Sequence, residues 1–130
     1  MGDWGNLPWD NDSAADWFGD LFDETKLANR VEATLKLDAK DSPEEVRAAA
    51  AMVLLLGHTY VWPIDKLDEH LTLAADRLEE ILKLGIYSEA PDLEETMRLE
   101  IQELRGRIKD PASAAQEHPK SAERKWWKFW

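Results

Sequence analysis

Ser42-Pro43-Glu44-Glu45-Val46-Arg47-Ala48-Ala49-Ala50-Ala51-Met52-Val53-Leu54-Leu55-Leu56-Gly57 is the stretch that decides the fold. It opens with the marks of a helix start. Ser42 stands at the N-cap and Pro43 at the first helical position, where its missing N–H is no loss. Glu45, three residues after the cap, completes a capping box. The stretch closes on Gly57, a C-cap residue. Between these marks, Ala48 to Leu56 is apolar almost all round, the pattern of a helix buried at the centre of a bundle. The alanines let neighbouring helices approach closely. The apolar run from Ala48 to Gly57 is far short of the roughly 20 residues that span a bilayer.

Reading outward toward the C-terminus, His58 to Pro63 forms a connection with room for a short extended piece, Thr59-Tyr60-Val61-Trp62. Asp65 then caps a second helix. Leu67, Leu71, Ala74, Leu78, Ile81 and Leu82 recur at three- and four-residue steps along it, which is one helical face. Gly85 ends it, and Ile86-Tyr87 pack against the preceding turn. A third long helix runs from Pro91 to Lys109, with Leu93, Met97, Ile101, Leu104 and Ile108 as its stripe. Glu94 with Arg98 and Glu103 with Arg107 are four-residue pairs of favourable order, expected on its wet side. Asp110-Pro111 stops it.

Toward the N-terminus, Asp12 or Ser13 caps a helix carrying Ala14, Trp17, Phe18, Leu21 and Phe22 on one face. Gly19 weakens that helix by up to about 1 kcal/mol relative to alanine. Asp23 or Thr25 caps a further helix with Leu27, Val31 and Leu35 inward. No segment alternates long enough to make a strand, and there is no solenoid repeat. The fold class is therefore all-α, an orthogonal or up-down bundle of about five helices around the Ala/Leu-rich helix at 43–57, with irregular Trp-rich ends. Residues 1–110 are expected to form one helical domain. Residues 111–130 make a polar linker and a basic, Trp-rich tail, expected to dock on that domain.

The 130 residues suit a single domain that folds without metal or disulfide. No cysteine is present, which excludes disulfide scaffolds, cysteine nucleophiles and thiolate zinc sites. The first 24 residues hold seven carboxylates and no Lys or Arg, the opposite of a signal peptide's basic start. A cytoplasmic location is the expectation. The net charge is −11, concentrated at the N-terminus and opposed by a basic C-terminus. An acidic field repels nucleic-acid phosphate, so no nucleic-acid partner is expected, and it suits a basic protein partner or merely solubility; self-association is the other partner expectation, through the tail.

The chain opens Met1-Gly2-Asp3-Trp4-Gly5, continues with Trp9-Asp10-Asn11-Asp12 and then Ala15-Asp16-Trp17. Gly5, Pro8 and Asn11 make turns, and an indole in such a stretch folds back over the core and finds a partner for its N–H. This opening resembles a bacterial family, the domain of unknown function numbered 4259, over about the first 22 residues. Leu7-Pro8 replaces a glycine-containing stretch of that pattern, and Trp9 stands where phenylalanine is commoner. The resemblance implies a small bacterial protein and supplies no activity.

Several groups of residues are candidates for chemistry. Asp10, Asp12, Asp16 and Asp20 offer oxygen ligands, yet their spacing is not that of a calcium loop, whose ligands alternate around a central glycine. His58 follows a helix end, where a protonated imidazole would meet the last carbonyls. His70 flanks the stripe of its helix, and His118 lies in the tail. His58 or His70 with Asp65 or Asp68 would make a general base, but nothing supplies a nucleophile or oxyanion donors. No catalytic set, metal site or cofactor is assigned. Arg124-Lys125-Trp126-Trp127-Lys128-Phe129-Trp130 is the sharpest feature, since Trp and Arg dominate interface energetics. The partner-binding candidates are thus Asp10, Asp12, Asp16, Asp20, Trp126, Trp127 and Trp130. The function expected is a non-catalytic, acidic protein-binding module of the bacterial immunity type that neutralises a basic toxin. The alternatives are a metal-binding protein or hydrolase built on the Asp cluster, and a membrane-surface protein using the tail.

Overall fold

The computed structural model describes residues 5–109. Among them are five helices and no strand: α1 (Asp12–Thr25), α2 (Leu27–Leu35), α3 (Pro43–Leu56), α4 (Ile64–Leu84) and α5 (Pro91–Gly106). The expected tail, including Trp126, Trp127, Trp130 and His118, lies outside the described residues.

The long-range side-chain contacts give the helix directions. Arg47 of α3 bonds Glu100 of α5, and Arg107 just beyond α5 bonds the Leu54 carbonyl of α3. Both partners advance together along the chain, so α3 and α5 run parallel. Arg105 reaches Asp76 and Glu79 of α4, whereas the later Lys109 reaches the earlier Asp68, so α4 and α5 run antiparallel. Glu32 meets His70 and Leu37 meets Arg77, which sets α2 parallel to α4. The result is an up-down array of α2, α3, α4 and α5, and α1 packs against α2 at its edge.

The stripes read from sequence form the core. Leu71, Ala74, Leu78 and Ile81 of α4, Met97 and Leu104 of α5, Val46 and Val53 of α3, and Val31 and Leu35 of α2 are all buried. Burying one leucine of this kind contributes about 1.5–3 kcal/mol. Two details of α3 differ from expectation. Its apolar surface is not covered all round, since Ala48, Ala51 and Leu55 are exposed and α4 shares the centre with it. The capping box does not form: Ser42 sits at the N-cap without a side-chain bond, and the backbone bond from Val46 N–H to the Ser42 carbonyl starts the helix.

Other boundaries move by a residue or two. Asn11, rather than Asp12 or Ser13, caps α1 through its Oδ1, which accepts from the Ala14 N–H at 2.8 Å. Neither Asp23 nor Thr25 caps α2. Lys26 instead takes the left-handed conformation at φ 54° and makes the corner between α1 and α2, while the Thr25 hydroxyl bonds back to the Leu21 carbonyl. Asp65 lies inside the first turn of α4, whose N-cap is Pro63. Gly85 ends α4 at φ 71°, a conformation that glycine adopts without a Cβ penalty.

The 57–63 connection is not extended. Gly57 makes a tight turn at φ −79°, ψ 67°, with the His58 N–H bonded to the Leu56 carbonyl, the geometry of an inverse γ-turn. Both the Val61 and Trp62 N–H groups then return to the His58 carbonyl, with Tyr60 at φ 79°. The folded-up loop buries His58, Val61 and Trp62. The N-terminal segment covers it: Trp9 stacks on His58 at 4.6 Å, and Phe22 of α1 meets Trp62 edge-on at 5.1 Å.

Candidate functional site

The two described histidines are buried and serve different partners from those expected. His70 lies on α4 one turn after Leu67 and one turn before Ala74, so it points into the core and is 0% exposed. The Trp62 Nε1–H donates to His70 Nδ1 at 3.0 Å. An indole N–H can only donate, so Nδ1 carries the lone pair and the imidazole proton sits on Nε2. That proton is donated to Glu32 Oε1 at 2.8 Å, and Lys36 Nζ donates to the other oxygen, Oε2, at 2.7 Å. The Lys36 bond first, then the His70 bond, hold the Glu32 carboxyl down at about 2.

This relay bears on metal chemistry. Glu32, Glu69 and His70 bring one possible ligand atom each within 4.8 Å of one another. A cation there needs the lone pair of His70 Nε2, and the Trp62 bond leaves a proton on that nitrogen. The Lys36 ammonium beside Glu32 opposes a cation as well. Trp62, His70 and Glu32 instead form a hydrogen-bond chain joining the 57–63 loop, α4 and α2, and exposed Glu69 takes no part in it. Among the described residues, no hydrogen bond or ion pair joins Asp65 or Asp68 to a histidine, and Asp68 accepts from the Lys109 N–H.

His58 does not act as the positive group at the end of α3. Burial first, then the nearby Arg107 charge, push its imidazole down to about 4, with a hydrogen bond to the Leu55 carbonyl working the other way. Arg107 takes the capping role. Its Nη1 donates to the Leu54 carbonyl at 2.9 Å and the Gly57 carbonyl at 3.3 Å, and its Nε donates to Glu103 at 3.0 Å. The Glu103–Arg107 pair forms as expected, but its arginine is buried rather than on the wet side, with a side chain 3% exposed. The last carbonyls of α3 lack partners within their own helix, and a cation there also meets the negative end of the helix dipole.

The aspartates separate into two kinds. Asp10 turns back into its own loop, where Oδ2 accepts from the Leu7 N–H at 3.1 Å. Asp12, Asp16 and Asp20 stand exposed on α1 at four-residue steps. α1 carries Asp12, Asp16, Asp20, Asp23 and Glu24 and no Lys or Arg. Among the described residues, every ion pair belongs to α2–α5 and their connections, and none of these five carboxylates takes part. On the same helix Trp17 is 60% exposed, with Phe18 edge-on beneath it at 5.3 Å. Trp17, expected on the inward face, is thus displayed, while Phe18 and Phe22 face the core.

Compared with known proteins, the chain matches no family model, no curated protein and no solved structure. Among the described residues, no helix is long and apolar enough to cross a membrane.

Two groups escaped the sequence reading although a signal for each was present. His70 falls at a stripe position between Leu67 and Ala74, and Arg107 falls three residues after Leu104, so both sit on apolar faces. Position alone pointed to burial. The partners, Trp62 with Glu32 and the end of α3, come from elsewhere in the chain, and no local pattern announces them.

Proposed function

We propose that this chain is a non-catalytic protein-binding module whose α1 presents an acidic, Trp-bearing face to a basic partner. The observation that carries the reading is the contrast between α1 and the rest of the bundle. The bases of α2–α5 largely pair with carboxylates, whereas the five carboxylates of α1 pair with nothing among the described residues and share their helix with an exposed indole. Unpaired like charges on one face repel each other, and a cationic partner relieves that repulsion on binding. An exposed tryptophan supplies the apolar anchor that such an interface needs at its centre.

In its concrete form, the chain is a cytoplasmic bacterial immunity-type protein that neutralises a basic toxin, a setting that the resemblance of its opening residues supports. The test is association with basic proteins encoded beside its gene, followed by stopped flow across a salt series. The on-rate is expected to fall steeply with salt, and Asp12→Asn/Asp16→Asn/Asp20→Asn to lower it by roughly tenfold at low salt. Trp17→Ala is expected to speed dissociation instead. No association at low salt, or an on-rate indifferent to the triple substitution, overturns the reading.

A further inference from the structure

His58 is a buried titratable group that the chain through His70 does not use. It is 3% exposed, and its ring lies under the Trp9 indole, with centroids 4.6 Å apart and planes 20° from parallel. Beside it Arg107 donates to the carbonyl of Gly57, the residue just before it. An aromatic cover and a fixed cation thus meet at one imidazole. We infer that residues 5–11 form an acid-released strap, in which protonation of His58 lifts Trp9 off the 57–63 loop while α2–α5 stay folded. The inference goes beyond the reading of α1 as a binding face and needs no partner.

The attachment of the segment is the first support. Its hydrogen bonds stay between Leu7 and Asp10 or pass from Asn11 into the first turn of α1. Among the described residues none of them crosses to α2–α5, and Trp9 is the ring that packs on the core. Lifting the strap therefore breaks no hydrogen bond to the bundle and uncovers one indole. Segments held in this way open locally, ahead of the whole fold.

The surroundings of the imidazole are the second support. From the end of α5 it faces Arg107, with Glu103 bonded behind the guanidinium. From α3 it faces the Leu55 carbonyl, whose hydrogen bond favours the proton. In the N-terminal segment the Asp10 carboxylate is turned away onto the Leu7 N–H, and Asp65 and Asp68 of α4 bond no histidine. Burial and then the Arg107 charge prevail, and hold the imidazole down at about 4 against 6.5. An indole face attracts a cation, but that attraction is smaller than a shift of this size.

The direction of the switch follows. In the lifted strap the imidazole meets water and regains its ordinary value. Between pH 6.5 and about 4 the open form binds a proton that the closed form excludes. The ratio of open to closed thus rises roughly tenfold per pH unit, and by up to roughly 300-fold across that window. Above 6.5 the strap stays shut, and below about 4 there is no further gain.

The test uses the full-length protein carrying fluorotryptophan, with the Trp9 signal assigned from Trp9→Phe. Fluorine spectra follow Trp9, histidine ring-carbon shifts follow His58, and circular dichroism follows the helices. From above pH 6.5 down to about 4, Trp9 is expected to move to a solvent-exposed position in step with His58 protonation, while the helical signal stays native. His58→Gln, neutral throughout, should hold Trp9 in one position over the same range. If that variant fails to fold, the coincidence of the Trp9 and His58 titrations in the unaltered chain still decides. An unmoved Trp9 at about pH 4, departure of Trp9 only together with the helices, or His58 taking its proton with Trp9 in place overturns the inference. So does a movement of Trp9 that persists in His58→Gln.

Discussion

Replacing Arg107 by methionine isolates what a buried guanidinium does for this bundle. Methionine keeps much of the apolar stem, so packing changes little and the polar head is what disappears. The head donates to the Leu54 carbonyl at 2.9 Å, more weakly to the Gly57 carbonyl at 3.3 Å, and to Glu103 at 3.0 Å. A charged hydrogen bond contributes about 1.5–3 kcal/mol, and a buried acceptor left without a donor costs about 1–3 kcal/mol. Glu103 is 31% exposed and regains water, so its share is small. Release from burying a charge offsets part of the loss. The net destabilisation expected is about 3 kcal/mol, a large part of the 5–15 kcal/mol typical of a domain. In urea unfolding followed by circular dichroism, with a slope of about 2 kcal/mol/M, the midpoint should fall by about 1.5 M at unchanged slope. Arg107→Lys keeps the charge but not the fork and should recover only part. Glu103→Gln keeps an oxygen that can accept from the Arg107 Nε–H and should cost less, about 1 kcal/mol. A loss below about 1 kcal/mol for Arg107→Met, within reach of an ordinary surface substitution, would refute the capping role. Equal costs for Arg107→Met and Glu103→Gln would transfer the effect to the ion pair.

Acid should destabilise the fold in two windows. The folded His58 holds its proton only below about 4, against 6.5 in the unfolded chain. Its contribution is thus complete above 6.5 and is lost as pH falls toward 4, by up to about 3 kcal/mol; chemical unfolding across that range checks it, and His58→Leu should flatten the slope. The Glu32 carboxyl, lowered from 4.5 to about 2, adds a further loss between those values, which Glu32→Gln should remove. Gly57→Ala places a Cβ against the Val53 carbonyl oxygen and Cγ1, and should cost about 1–3 kcal/mol in thermal or urea unfolding; no loss would mean that the end of α3 relaxes freely. Long-range proton–nitrogen correlation spectra should show His70 as the Nε2–H tautomer, and zinc should leave those signals unmoved. An Nδ1–H pattern would break the argument against a metal at Glu32, Glu69 and His70.

Local chemistry determined most of the helices. Pro43, Pro91, Gly57 and Gly85 punctuate the chain whatever its neighbours do, because their backbone limits are properties of single residues. The stripes at Leu67–Leu82 and Leu93–Ile108 follow from helical periodicity, so the core they form was legible in advance. Caps were less legible. Asn11, Asp12 and Ser13 are all competent caps, and Asn11 takes the position in the structure.

Tertiary structure alone decided the roles of the polar residues. Arg107 and Glu103 satisfy a surface-pair pattern, but the end of α3, some fifty residues away, takes the arginine out of water. His70 gains its tautomer from Trp62 and its second bond from Glu32, 38 positions earlier. Asp10 resembles Asp12, Asp16 and Asp20 in sequence, yet it closes its own turn while they remain on an open face. The physical reason is the same in each case. Backbone preference and apolar periodicity act within a few residues, whereas desolvation and hydrogen bonding depend on what the fold brings alongside.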